Sequence, residues 1–511
     1  MTSPAIPMAG RREWVGLAVI ALPCLLYAMD LTVLNLAVPK LSEALAPSSV
    51  QLLWIVDIYG FLVAGLLVTM GTLGDRIGRR RLLLAGAAGF AVASAVAAYS
   101  TSPGMLIGAR ALLGVAGATL APSTLSLIRN MFADPRQRTV AVSVWITSFS
   151  VGGAVGPLVG GLLLEWFWWG SVFLPAVPVM ALLLVLGPLL LPEFRDPHAG
   201  RPDLASAVLS LVAVLAAIYG LKELAQDGPG WTPVGCILAG LLVGAGFVRR
   251  QRRLVDPLID LRLFANRAFS AALTTNLLSF FVGFGALLFT AQYLQLVLGL
   301  SPLQAGLWSL PSSAAFILGS MATPLLVRRA APAVVMAAGL SLAAVGFGLL
   351  TRLGPTAGLP LLVAGSVVFS LALAPVDTLA TDLAVGAAPP QRAGAASAVT
   401  ETAAEFGGAL GIAVLGVVGT AVYRGRLAHG IPAGVPEPAA AVARDTLGGA
   451  VAVAGQLPDR LGVPLLEAAR EAFTQGLHLA AAVSAVAALA FAILVVVVLR
   501  EKHAVTDEQR S

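Results

Sequence analysis

The chain has 511 residues, 58% of them hydrophobic and only 11% charged, with a formal net charge of +6. That much apolar surface excludes a soluble globule, and its spread along the whole length excludes a single membrane anchor, leaving an all-α polytopic membrane protein. The pI of 9.7 does not point to a nucleic-acid partner, because the basic residues fall mostly in the loops between apolar runs.

Apolar runs of about 20 residues bounded by turn or charge signals predict fourteen spans, at 14–38, 50–73, 82–100, 103–129, 138–164, 168–191, 203–224, 232–249, 268–297, 302–327, 332–352, 358–387, 392–423 and 474–499. Arg11 and Arg12 precede a first run of full span length with no small-residue cleavage site after it, so it is read as a span and not as a leader. Placing both termini in the cytoplasm puts most of the 32 Lys and Arg on the inner side of a cell membrane, which satisfies the positive-inside rule.

Span 1 carries Tyr27 and the string MDLTVLNLAVPKL, with Asp30 deep in it. A carboxylate at that depth costs about 2.5–3.5 kcal/mol on insertion scales, so such groups are usually functional. Span 2 carries WIVDIY, and helical spacing puts Trp54, Asp57 and Phe61 on one face. An acid between aromatic rings suits a lipophilic cation through charge and cation–π attraction. The structural alternative is an interfacial aromatic belt around a hydrated Asp. The loop that follows, GTLGDRIGRRR, has Gly71 and Gly74 for close helix approach, Gly78 for a tight turn, and Asp75 within reach of Arg79, beside Arg76. In span 4, RALLGVAGA begins at Arg110, about two turns inside the membrane, where a permanent charge needs a partner; Asp30 or a carbonyl is expected.

Span 5 contains GGAVGPLVGG, in which Gly152, Gly156 and Gly160 line one face for close packing and Pro157 favours a bend. Cys24 and Cys236 fall inside spans 1 and 8 and suggest neither a disulfide nor a metal site. The cluster Arg249, Arg250, Arg252, Arg253, Arg262 and Arg267 after span 8 reads as a topology anchor touching anionic lipid. Span 10 has no acidic residue, whereas span 12 has Asp377 and, nearer its inner end, Asp382. In span 13, AVTETAAEFGGALGIAVLG places Glu401 and Glu405 one turn apart with Gly408 continuing their face, an arrangement suited to sharing a proton. Structural pairing of the two is the alternative. The outer segment 424–473 is either a structured hairpin or lid, or a loose loop. His198, His429, His478 and His503 sit in loops or near span ends, and no nucleophile triad, metal-spaced set or phosphate loop is present to support an intramembrane enzyme.

Several of these strings resemble one family. The Gly71–Arg81 loop resembles the GxxxDRxGRR loop of the major facilitator superfamily, and RALLGVAGA its RxxxGxxGA element, with Leu113 in place of the usual Gln. The span 5 string looks like the GxxxGPxxGG signature of its antiporters. The Asp30 string looks like the DxTxxNxAxP element of the fourteen-span drug:proton antiporters, and WIVDIY and GGALGIA are similar to their quaternary-ammonium and multidrug exporters.

The resemblance implies a major facilitator fold of two six-helix bundles, 1–195 and 263–511, with two extra spans inserted at 196–262. It implies a proton-coupled exporter of lipophilic cationic drugs and antiseptics that works as a monomer in lipid, needs no cofactor beyond the proton gradient, binds no metal and engages no nucleic acid. On this reading Asp30, Arg110, Glu401 and Glu405 couple the proton. Tyr27, Trp54, Asp57, Phe61, Asp377, Glu401 and Glu405 meet substrate. Gly71, Asp75, Arg76, Gly78, Arg79, Gly152, Gly156, Pro157 and Gly160 serve the conformational change. A nutrient symporter and an exporter of one metabolite or antibiotic are the competing expectations.

Overall fold

A computed structural model describes residues 8–195, 203–228, 230–254, 257–354, 358–387 and 393–508; His198 lies outside them. The first bundle comprises α1 (Arg11–Leu45), α2 (Ser49–Ile77), α3 (Arg79–Ala98), the broken pair α4 (Pro103–Gly117) and α5 (Leu120–Met131), α6 (Pro135–Trp166), and α7 (Ala176–Leu190). Helices α8 (Leu204–Asp227) and α9 (Trp231–Gln251) follow. The second bundle comprises α10 (Arg267–Gln292), α11 (Pro302–Val327), α12 (Pro332–Leu350), α13 (Leu359–Gly386), α14 (Ala393–Gly430), two short helices α15 (Glu437–Asp445) and α16 (Leu447–Ala454), and the long α17 (Asp459–Glu508). Among the described residues, fourteen stretches in this order are long and apolar enough to cross a membrane. The chain is a multi-pass membrane protein.

An even number of crossings puts both ends of the helical chain on one side, here the terminal face; the opposite side is the far face. Local chemistry sets several helix starts. Ser48 and Ser301 cap α2 and α11 in reciprocal boxes with Gln51 and Gln304, while Ser102 and Asp134 cap α4 and α6 just ahead of a proline at the first helical position. The predicted span 4 is interrupted because Pro122 supplies no N–H for the carbonyl four residues back; Ala118 N instead bonds Gly114 O and Thr119 N bonds Ala116 O.

One closely packed helix pair lies in each bundle, α1 with α6 and α10 with α14, and two other pairs join the bundles, α2 with α14 and α6 with α11. The joins between bundles lie towards the far face. Gln295 Nε2 donates to Leu36 O at 3.0 Å, a Cβ on Gly161 would meet Pro302 O at 2.7 Å, and one on Gly306 would meet Pro157 O at 2.4 Å. Helices α15 and α16 form a structured cap there, which decides between the hairpin and the loose loop. Ser49 N and Oγ donate to the Asp445 carboxylate at 3.2 and 3.1 Å, and Tyr423 Oη donates to Ala443 O at 2.7 Å. The helix that carries the last span begins earlier than 474, at Asp459.

The α8–α9 hairpin docks on this frame mainly through α8, against α2 and α14. Helix α9 is only 11% buried in its most apolar window, which fits a lipid-facing position. At the terminal face, Asp203 caps α8 and accepts from Ser206 Oγ at 2.5 Å and from Arg250 Nη2 at 3.0 Å, joining the two helices. Partial burial would push the Asp203 carboxyl up, but these donors outweigh it and hold it below its ordinary 3.8. A depressed carboxylate stabilises the fold above its ordinary value and loses that contribution as pH falls through the lower, folded value. Asp203→Asn is therefore expected to lower stability by about 1 kcal/mol at pH 7. In melts of the purified protein, the gap between wild type and variant should narrow as the pH is taken below that of an ordinary Asp.

Candidate functional site

Two buried ion pairs lie on different faces of α2. On the α2 face turned towards α1 and α4, Arg110 Nη1 meets Asp30 Oδ2 at 2.5 Å and Arg110 Nε donates to Ile55 O at 3.1 Å. The guanidinium carbon lies 4.6 Å from the centroid of the Tyr59 ring, and both charged residues are buried (Arg110 1%, Asp30 7% exposed). A cation desolvated this fully is tolerable only with a carboxylate and further acceptors around it. Asp30, the Ile55 carbonyl and the Tyr59 ring supply them.

Tyr27 carries the contact onward. Its ring lies 6.0 Å from Tyr59 and 5.8 Å from Phe149, which in turn stacks edge-on with Trp145 at 4.8 Å. Its hydroxyl donates to Glu405 Oε1 of α14 at 2.7 Å, a hydrogen bond between the two bundles near the membrane middle. Glu401, one turn nearer the terminal face, is exposed. No ion pair engages either glutamate among the described residues, in contrast to Asp30 and Asp57. On the stretch of α6 that carries Trp145 and Phe149, an open hollow of ≈450 Å³ is lined by Leu25, Val140, Ser143, Val144, Thr147, Ser148 and Val151. Asp377 sits on α13, half-buried, its shielded Oδ1 without a hydrogen bond, and Asp382 is exposed nearer the terminal face.

The second site differs from the sequence expectation. Trp54, Asp57 and Phe61 do share a face, but that face is already filled by α8. Lys222 Nζ lies 2.8 Å from Asp57 Oδ2 and 3.7 Å from the centroid of the Trp54 ring, and both charged side chains are fully buried. Phe61 packs with Ile218 of α8 and Ala409 and Ala413 of α14, and its ring is 6.2 Å from Phe406. In this conformation Asp57 is neither hydrated nor open to a ligand. Sequence reasoning missed Lys222 because it falls near the predicted end of span 7, where a lysine is expected to reach the interface. A lone charge in an otherwise apolar run was the signal available.

The glycine motifs act by close approach. A Cβ on Gly152 would stand 2.1 Å from Leu25 O, one on Gly156 2.2 Å from Thr32 Oγ1, and one on Gly160 2.1 Å from a Val33 methyl, so the stripe is the α1–α6 seam. On α14, Gly407 and Gly411 play the same part against the Leu277 and Phe281 carbonyls of α10, while Gly408 faces the Phe284 ring. Gly152→Ala is expected to cost about 1–3 kcal/mol, since the obstacle is a backbone carbonyl. Gly153→Ala, with open space around its Cβ, should leave thermal stability unchanged, and paired melts of the two variants check this. In the first loop, Gly78 has φ +115° and turns the chain from α2 into α3. Arg79 Nε donates to Asp75 Oδ1 at 2.8 Å and Arg79 Nη1 to Pro122 O at 3.3 Å, while Gly71 lies against Pro122 and Arg76 is exposed. The loop thus braces α2, α3 and α5 at the terminal face.

A family model described as Major Facilitator Superfamily matches residues 20–412. The chain is 45% identical over 498 residues, 98% of each protein, to the "Multidrug efflux pump LfrA" of Mycolicibacterium smegmatis. It is 36% identical to the "Methyl viologen resistance protein SmvA" of Salmonella typhimurium, over 90% of this chain and 93% of that one. Among solved structures, an inward-facing, unoccupied bacterial homolog of the human lysosomal transporter Spinster superposes with a TM-score of 0.70 at 20% identity, covering 96% of this chain and 98% of that one.

Proposed function

Because the chain belongs to the Major Facilitator Superfamily, a family of membrane transporters and not of enzymes, we propose that it is a proton-coupled antiporter exporting lipophilic cations such as quaternary ammonium compounds and cationic dyes. The carrying observation is the glutamate pair of α14. Glu401 and Glu405 are carboxylates at membrane depth that, unlike Asp30 and Asp57, have no resident cation, and Glu405 is tied to Tyr27 of the other bundle at 2.7 Å. The names of the relatives, a multidrug efflux pump and a methyl viologen resistance protein, support drug efflux and, in the second case, a cationic substrate.

On this reading the terminal face is cytoplasmic and the membrane is the cell's inner membrane, with a single copy of the chain forming the path. A cation entering from the terminal face meets Glu401 first and then Glu405, while its apolar body lies against Tyr27 and Phe149 and in the hollow beside α6. Charge attraction and cation–π contact are strongest where water is excluded. Protons arriving from the far face neutralise the acids and release the cation, and the bundles exchange access by rocking about the seams α2–α14 and α6–α11. Asp30 is the inner proton site, because Arg110 compensates it in the state drawn here and loses that partner on protonation.

The test is uptake of permanently charged ethidium by inside-out vesicles, which weak-base trapping does not imitate. An antiporter concentrates the dye in an acid lumen and releases it when the gradient is reversed. A symporter runs the opposite way, and gradient-independent flux or none would refute the proposal.

A further inference from the structure

The pair Asp57–Lys222 has no part in the scheme above, although it contains the only lysine buried in the described membrane interior. Its geometry is that of a bound cationic ligand. The ammonium is 2.8 Å from a carboxylate oxygen and centred 3.7 Å over an indole, the two contacts an aromatic–acid site offers a cation. Beyond charge, little else holds it. Apart from their 2.8 Å contact with each other, Lys222 Nζ and the Asp57 oxygens have no further hydrogen-bond partner among the described residues, and a buried pair without supporting hydrogen bonds is a poor source of stability. The site also lies at a mechanical boundary. Helix α8 reaches across the α2–α14 seam between the bundles, with Ile218 packed against Phe61, Ala409 and Ala413, and that seam must rearrange when access alternates.

We propose that Lys222 is a tethered competitor of cationic substrates: its ammonium occupies a second cation site, Asp57 with Trp54, from which a substrate cation displaces it, freeing α8 from the seam between the bundles. A flexible four-carbon stem allows the ammonium to leave without unwinding the helix. Lys222 then sets selectivity, because only a cation that gains more from Trp54 and Asp57 than the tethered ammonium does can take its place. The inference rests on the reading of the chain as a cation exporter, but its test does not depend on the glutamate site.

The experiment measures tetraphenylphosphonium binding to the purified, full-length protein, by calorimetry on samples monodisperse in gel filtration. Lys222→Met removes the competitor while keeping the stem, and should tighten binding or add a site by about tenfold or more in Kd. Adding Asp57→Asn to that variant should erase the gain. Lys222→Arg, which keeps the charge and stacks better on Trp54, should weaken cation binding without changing affinity for a neutral substrate, and it serves if Lys222→Met does not fold. Unchanged or weaker binding by Lys222→Met, or an equal loss for neutral and cationic ligands in Lys222→Arg, would overturn the proposal. Loss of wild-type binding in Glu405→Gln reports separately on the glutamate reading, which falls if that variant binds normally.

Discussion

Asp30→Asn is expected to abolish gradient-driven efflux while the protein still inserts and folds. The amide keeps the shape of the carboxylate and one acceptor for Arg110, which sits at 2.5 Å, but removes the carboxylate that pairs with that guanidinium. Removing one member of a buried ion pair costs about 3–5 kcal/mol in apolar surroundings. Here the carbonyl of Ile55 and the Tyr59 ring continue to support Arg110, so part of that loss is absorbed and expression should persist. The measurement is ethidium uptake by inside-out vesicles with an acid lumen, beside a facilitated-exchange assay with no gradient. Exchange that survives while concentrative uptake disappears would place Asp30 in proton coupling. Normal concentrative uptake by the variant would exclude it.

Glu405→Gln and Glu401→Gln should each reduce cation efflux by about tenfold to a hundredfold. At roughly 4 Å and an effective dielectric near 20 a carboxylate–cation contact is worth about 4 kcal/mol, of which desolvation takes back a part. Glutamine at 405 still accepts from Tyr27 Oη, so the hydrogen bond between bundles at 2.7 Å survives and the lost term is the charge. The double variant should lose less than the product of the single effects, because two acids one turn apart serve a single cation and act as a unit. Transport rates for the four members of the cycle, measured with one cationic and one neutral substrate, decide the matter. Strict multiplicativity would mean independent roles, and equal losses for the neutral substrate would make the pair structural.

Asp30 and Arg110 are legible as partners because each is a charge in hydrocarbon that no neighbour in its own helix can neutralise, and the cost of isolation leaves few alternatives. Gly152, Gly156 and Gly160 are legible as a seam because their helical spacing leaves one face without side chains, although only the packed helices show that α1 is the occupant. The lengths of α1, α14 and α17 are not legible, since apolar runs report the thickness of the hydrocarbon layer and these helices continue beyond the predicted runs.

By itself the sequence determined the fourteen spans, their order and the family, because the bilayer forces each crossing to be a continuous apolar helix whose few charges stand out. Which side chain meets Asp57 and which meets Glu405 was decided only by the tertiary structure. Lys222 reaches Asp57 from the inserted helix α8, and Tyr27 reaches Glu405 across the boundary between bundles. Such pairs are fixed by how separate helices pack and rotate against one another, a long-range choice that hydropathy and local spacing do not encode. Among the described residues, that packing leaves Glu401 and Glu405 without a cation of their own.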